Sequence, residues 1–195
     1  MAATSIRTVL LPRATPAVDA VLAISGAAVI AAAAQISIAL PFTPVPITGQ
    51  TFAVASTVAA LGFRTGGASS LLYVAAGLVG LPVYADGSSG WHVLSSASGG
   101  YLVGFIGCAL LVGWCGDQGW ASRFSSTVGA MLLGETVIYI CGLLWLRHVL
   151  HTPLERTFEL GLYPFVVGDL LKVYAAAASL PAAHRLVARL RTPDD

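Results

Sequence analysis

Asp169 and Lys172 stand three residues apart inside an otherwise apolar run, Leu160 to Ala183. On a helix that spacing puts a carboxylate and an ammonium on one face, close enough to meet. Two readings are open: an internal ion pair that neutralises itself, or a polar recognition pair facing a cavity, with Asp169 accepting and Lys172 donating hydrogen bonds. Gly168 beside them lets a ligand approach the backbone. Glu135 and Tyr139 share a face at i, i+4 in another apolar stretch, Phe124 to Leu146. Glu135 is a lone acid, expected to snorkel or to lie in the wider part of a cavity. Tyr139 combines a ring for packing with one hydroxyl for hydrogen bonding, and packing within a bundle is its alternative.

Two further segments bring polar groups without charge runs. Gly87-Ser88-Ser89-Gly90-Trp91-His92 and Ser95-Ser96-Ala97-Ser98-Gly99-Gly100-Tyr101 supply hydroxyls and backbone groups able to lie over a pocket for a neutral polar molecule. His92 is distant in sequence from His148 and His151, so no metal site is expected. Cys108, Cys115 and Cys141 have no paired spacing and read as small packing residues.

The elements that position these groups follow from the distribution of charge. Of 195 residues, 56% are hydrophobic and 10% charged, ten basic and nine acidic. Soluble domains carry about 25% charged residues. The deficit excludes an ordinary soluble domain and a disordered chain, and a net charge of +1 excludes a nucleic-acid binder. An integral membrane protein remains. No Asp, Glu, Lys or Arg lies between Asp19 and Arg64, Arg64 and Asp86, or Asp86 and Asp117. A crossing helix needs about 20 apolar residues. Pro41, Pro44 and Pro46 break the first interval into two spans.

The expected architecture is an all-α bundle of six transmembrane helices, Ala20–Leu40, Thr51–Phe63, Ala68–Leu81, Gly99–Cys115, Ser125–Leu150 and Pro164–Val187. The expected domains are an N-terminal segment 1–19, a membrane domain 20–190 and a tail 191–195. Seven arginines, Arg7, Arg13, Arg64, Arg123, Arg185, Arg189 and Arg191, then share one side with both termini, against Arg147 and Arg156 opposite. The positive-inside rule makes the first side cytoplasmic. The first apolar run is longer than a signal-peptide core, so it is read as an uncleaved helix. Ala23, Ala27 and Ala31 give that helix a smooth stripe, the expected docking face for another subunit. Gly100 and Gly104 form a GxxxG pair suited to close packing.

Four ordered motifs resemble the bacterial BioY family, the substrate-binding S components of energy-coupling-factor (ECF) biotin transporters. They are Pro44-Val45-Pro46-Ile47-Thr48-Gly49-Gln50-Thr51-Phe52, Gly77-Leu78-Val79-Gly80-Leu81-Pro82-Val83-Tyr84, Gly99-Gly100-Tyr101-Leu102-Val103-Gly104-Phe105, and Pro164-Phe165 with Gly168-Asp169-Leu170-Leu171-Lys172. Ser96-Ala97-Ser98 departs from the Gly-Pro-Thr or Gly-Pro-Ser more familiar there. The resemblance implies a six-helix S component in the bacterial inner membrane, with biotin held near the outer face by Asp169 and Lys172. Biotin's ureido ring has two N–H donors and a carbonyl, complementary to a carboxylate and an ammonium, and Tyr139 and Trp91 are suited to pack on its rings. Gln50, Gly99 and Tyr101 from the motifs, and Ser88 from the loop, complete the expected site. The resemblance further implies a transmembrane coupling subunit and two ATPase subunits as partners. This chain has no Gly-Lys-Ser/Thr phosphate loop of its own. No cofactor, no metal and no enzymatic activity are expected, and a homo-oligomer is a possible assembly. The competing readings are an S component for thiamine or riboflavin, an intramembrane enzyme using Asp169 or Glu135 with His148, and a structural scaffold; the enzyme lacks a nucleophile–base pair at recognisable spacing.

Overall fold

The computed structural model describes residues 5–191, with side chains to residue 189. Residues 1–4 and 192–195, most of the expected tail 191–195, lie outside the described residues, as do the side chains of residues 190 and 191. The helices are α1 (Ile6–Leu10), α2 (Pro16–Ala34), α3 (Gln50–Leu78), α4 (Trp91–Ser95), α5 (Gly99–Asp117), α6 (Phe124–Leu150), α7 (Leu154–Gly161) and α8 (Val166–Arg191). Four of them, α2, α5, α6 and α8, are long and apolar enough to cross a membrane. At about 1.5 Å per residue, the 19 residues of α2 or α5 span about the thickness of the hydrocarbon.

Helix α2 starts where its local chemistry dictates. The Thr15 side chain caps Val18 N, Pro16 occupies the first turn and Asp19 follows it. It ends at Ala34 rather than at the expected Leu40. Ser37 and Ile38 leave the helix to pair antiparallel with Thr48 and Ile47 as strands β1 (Ser37–Ile38) and β2 (Ile47–Thr48). Gln35 closes the corner by donating to Ala31 O and Tyr84 O.

Within the expected N-terminal segment 1–19, the described residues from Ser5 onward pack on the bundle. Helix α1 packs on α3 and α8, with Ser5 and Ile6 buried. Arg7 reaches Asp19 through Nε and Nη2 at 2.9 and 2.6 Å, which holds α1 against α2.

Helix α3 is two arms joined at Gly62. There the backbone turns through φ 81°, ψ −179°, which is not helical. A Cβ on Gly66 would stand 2.6 Å from Val58 Cα, and Gln50 bonds Tyr73 across 23 residues of sequence. Those contacts require residues 50–61 and 63–78 to run back on one another. The arms correspond to the expected helices Thr51–Phe63 and Ala68–Leu81, but the reversal takes one glycine instead of the expected loop around Arg64. Asp117 steadies it by accepting from Phe63 N at 3.0 Å. Both arms are shorter than a straight crossing needs. They are packed between α2 and α5, with Val54, Val58, Ser69 and Tyr73 buried.

Helix α5 occupies the middle, between α3 and α6. The Gly100–Gly104 pair faces α6, where a Cβ on Gly104 would lie 2.8 Å from Ile138 Cα. That is the close approach small residues permit in lipid. The alanine stripe of α2 lies partly against α3. Ala23 is 4% exposed, and Ala27 and Ala31 pack against the core. The reason is steric: α3 comes so near that a side chain on Gly26 would collide with Ser69 and Thr57. The outward face of α2 carries Val21, Ile24 and Val29.

Candidate functional site

At the end of the bundle opposite Gly62, the segments 35–49, 79–98 and 151–165 gather over a cavity of about 340 Å³. That falls within the range of about 300–1,000 Å³ for small-molecule sites. The connections are bonded to one another. Thr43 Oγ1 donates to Leu160 O at 2.6 Å, Tyr101 Oη to Gly161 O at 2.7 Å, and Trp145 Nε1 to Ser96 O at 3.0 Å.

The deepest polar feature is the Asp169–Lys172 pair on α8. Asp169 is 7% exposed, and its Oδ1 accepts from Lys172 Nζ at 2.8 Å. Lys172 also donates to Thr51 Oγ1 at 3.0 Å, and Thr51 donates onward to Asp169 Oδ1 at 3.4 Å. The Tyr139 hydroxyl, from α6, donates to the other carboxylate oxygen, Oδ2. The Tyr101 ring meets Tyr139 edge-on at 6.4 Å. Three helices therefore fix one carboxylate.

Counting valences shows what this network leaves available. Oδ1 uses its two lone pairs on Lys172 and Thr51, whereas Oδ2 uses one on Tyr139 and keeps one. The ammonium spends two of its three hydrogens on Asp169 and Thr51 and keeps one. The site thus offers an acceptor beside a donor, complementary to a group that carries N–H next to C=O.

Gln50 sits at the start of α3 and also lines the cavity. Its Nε2 donates to the Tyr73 hydroxyl, and its Oε1 accepts from Thr48 Oγ1 at 2.9 Å. Tyr84 closes the wall beside it, donating to Val74 O at 2.6 Å and packing edge-on against Tyr73. Burial raises the Tyr84 phenol above its ordinary pKa, so it stays a neutral donor.

Six of the eight residues expected to bind ligand line this one cavity: Gln50, Ser88, Tyr101, Tyr139, Asp169 and Lys172. Two do not. Trp91 is 71% exposed, pointing away while His92 and Val93 face inward from the same short helix. Gly99 serves packing, since a Cβ there would collide with the Leu94 carbonyl. Glu135 neither snorkels nor lines the cavity. It lies 7% exposed one turn from Tyr139, with no hydrogen-bond partner for Oε2. Thr51 and Phe165 stand in the quoted motifs without being singled out for binding, and both line the cavity, whereas Tyr73 supports it from behind by accepting from Gln50. Thr51 was within reach of the same logic, since the residue after Gln50 opens a helix at the level of the charged pair.

The chain matches the family model described as BioY family over residues 6–189. It is 44% identical over 127 residues to a probable biotin transporter BioY of Methanothermobacter thermautotrophicus, covering 60% of this chain and 80% of that one. It is 33% identical over 167 residues to the biotin transporter BioY of Rhizobium etli, covering 82% and 89%. Its fold is similar to a crystal structure of the S-component for biotin from an ECF-type ABC transporter, with a TM-score of 0.67, 23% identity, and 90% and 92% of the two chains covered.

Proposed function

The chain belongs to the BioY family, and on that premise we propose that it is the membrane-embedded biotin-binding S component of an ECF-type transporter. One observation carries the reading: the free acceptor on Asp169 Oδ2 and the free donor on Lys172 Nζ lie side by side at a buried cavity. A ureido edge supplies N–H and C=O in that order. Tyr139 and Tyr101 border the same space with aromatic faces, and Phe165, Leu102 and Phe105 provide apolar wall for a thioether ring and an alkyl chain. Thr51 acts through Lys172, orienting the ammonium rather than meeting the ligand first.

In this proposal the two arms of α3 complete six crossings with α2, α5, α6 and α8. Both termini face the cytoplasm of a bacterial inner membrane, the cavity opens outward, and Arg7, Arg64 and Arg123 mark the inner side. The chain binds and releases ligand without chemical conversion. ATP is hydrolysed by two partner ATPase subunits, linked through a transmembrane coupling subunit. The coupling subunit docks along α2, where Ala27 and Ala31 of the Ala23–Ala27–Ala31 stripe remain partly exposed.

Calorimetry of the purified protein with biotin, thiamine and riboflavin tests the substrate. Biotin is expected to bind at ~1 μM or tighter. Millimolar biotin binding beside tight binding of another vitamin would overturn the assignment. Thr51→Val removes one of the Lys172 contacts while preserving shape, and is expected to weaken biotin about ten- to a hundredfold, the worth of one hydrogen bond to a charged group. An unchanged affinity in the same titration removes Thr51 from the site.

A further inference from the structure

A ligand with a ureido ring and a carboxylate tail presents two problems to this cavity, and the Asp169–Lys172 pair solves only the first. Lys172 is already matched by Asp169 at 2.8 Å, so the pair adds no net positive charge for a second anion. Of the side chains lining the cavity, two can carry positive charge, Lys172 and His92. They stand at opposite depths: Lys172 beside the buried carboxylate, His92 exposed on α4 in the connecting segment. A molecule seated with its ring on Asp169 and its tail toward the connecting segments would meet His92 among the residues lining the cavity.

The local backbone holds the imidazole in that place. Gly90 adopts φ 84°, and a Cβ there would stand 3.3 Å from His92 Nδ1. The ring thus folds over a position that only glycine fills without strain. Two nearby hydroxyls are committed elsewhere, Ser88 Oγ to Ala85 O and Ser96 Oγ to Val93 O, each at 2.7 Å. Asp86 also lines the mouth and opposes an anion there, but it is exposed to screening water.

We infer that His92 is the residue that receives the ligand's carboxylate, making this chain selective for the acid over its neutral derivatives. An imidazole N–H donates to a carboxylate in either protonation state, and the imidazolium adds charge. The inference rests on the biotin reading above and adds a specificity determinant to it.

The experiment titrates biotin and uncharged biotinamide into wild-type protein, His92→Ala and His92→Arg by calorimetry. His92→Ala is expected to weaken biotin about fivefold, the scale of a partly solvated charged contact, while changing biotinamide less than about twofold. His92→Arg restores biotin preference over biotinamide. Biotinamide also reports the integrity of each variant, since its ring site is untouched. Equal losses for both ligands in His92→Ala, or no loss for either, overturn the role of His92 and leave the biotin assignment standing. Failure of the wild type to bind both ligands overturns the biotin assignment itself.

Discussion

Asp169→Asn is expected to weaken biotin binding by about a hundredfold or more, since breaking a buried, hydrogen-bonded charge pair costs about 3–5 kcal/mol. The substitution is nearly isosteric, so its effect comes from chemistry rather than volume. Asp169 accepts from Lys172 and Thr51 on one oxygen and from Tyr139 on the other. An amide must turn its NH2 toward one of those sides. Facing Lys172 it meets an ammonium, and facing Tyr139 it meets the phenol and removes the acceptor left for the ureido N–H. The ammonium is also left without its counter-ion in a buried site. Calorimetry measures the loss, and thermal unfolding in detergent separates it from collapse. The double variant Asp169→Leu with Lys172→Met sharpens the comparison. Removing both charges is expected to leave the protein folded near wild-type stability, yet unable to bind biotin. Retained biotin affinity in the double variant would reduce the pair to an internal ion pair.

The second large effect falls at the other end of the molecule. Gly62→Ala places a methyl group at φ 81°, ψ −179°, a region almost closed to other residues, at a cost of about 1–3 kcal/mol. The added Cβ also meets the Asp117 carboxylate and stands 3.1 Å from Ser5 Oγ. Displacing Asp117 from Phe63 N forfeits a charge-assisted bond worth about 1.5–3 kcal/mol. Together these lower the midpoint of thermal unfolding by about 6–15 °C for a chain of this length. Gly67→Ala is the matched control: it lies in the second arm with nothing within 4 Å of its Cβ, and alanine is the better helix former. If the two variants melt together, the reversal at Gly62 does not have the strained geometry described.

Much of this was legible in the sequence because lipid is an unforgiving solvent. Charge-free intervals bounded the helices to within a few residues, and the two ionisable residues of the last apolar run lie in the cavity. What was not legible depended on direction and on pairing. The Ala23–Ala27–Ala31 stripe announces close helix packing but not which neighbour it serves, and one neighbour is α3. Strands of two residues, Ser37–Ile38 and Ile47–Thr48, are too short to carry a periodic signal. The reversal was expected at Arg64 because charge marks loops, yet a single glycine two residues earlier performs it with no loop. Trp91 was chosen for its ring, while the short helix α4 turns His92 inward instead, an orientation no spacing argument fixes in five residues.

In the proposed topology, the Gly62 reversal also decides between odd and even. With α2, α5, α6 and α8, an unbroken α3 of 29 residues would make five crossings and place the two termini on opposite sides of the membrane. With the fold-back, the proposed topology has six crossings, with entry and exit on one side. In that topology everything after residue 62, including the ends of α5, α6 and α8 around the cavity, takes its inside-or-outside sense from that one pair of backbone angles. A variant that straightened α3 would do more than lose a turn: it would part Gln50 and Thr51 from Tyr139, Asp169 and Lys172 and dismantle the ligand cavity.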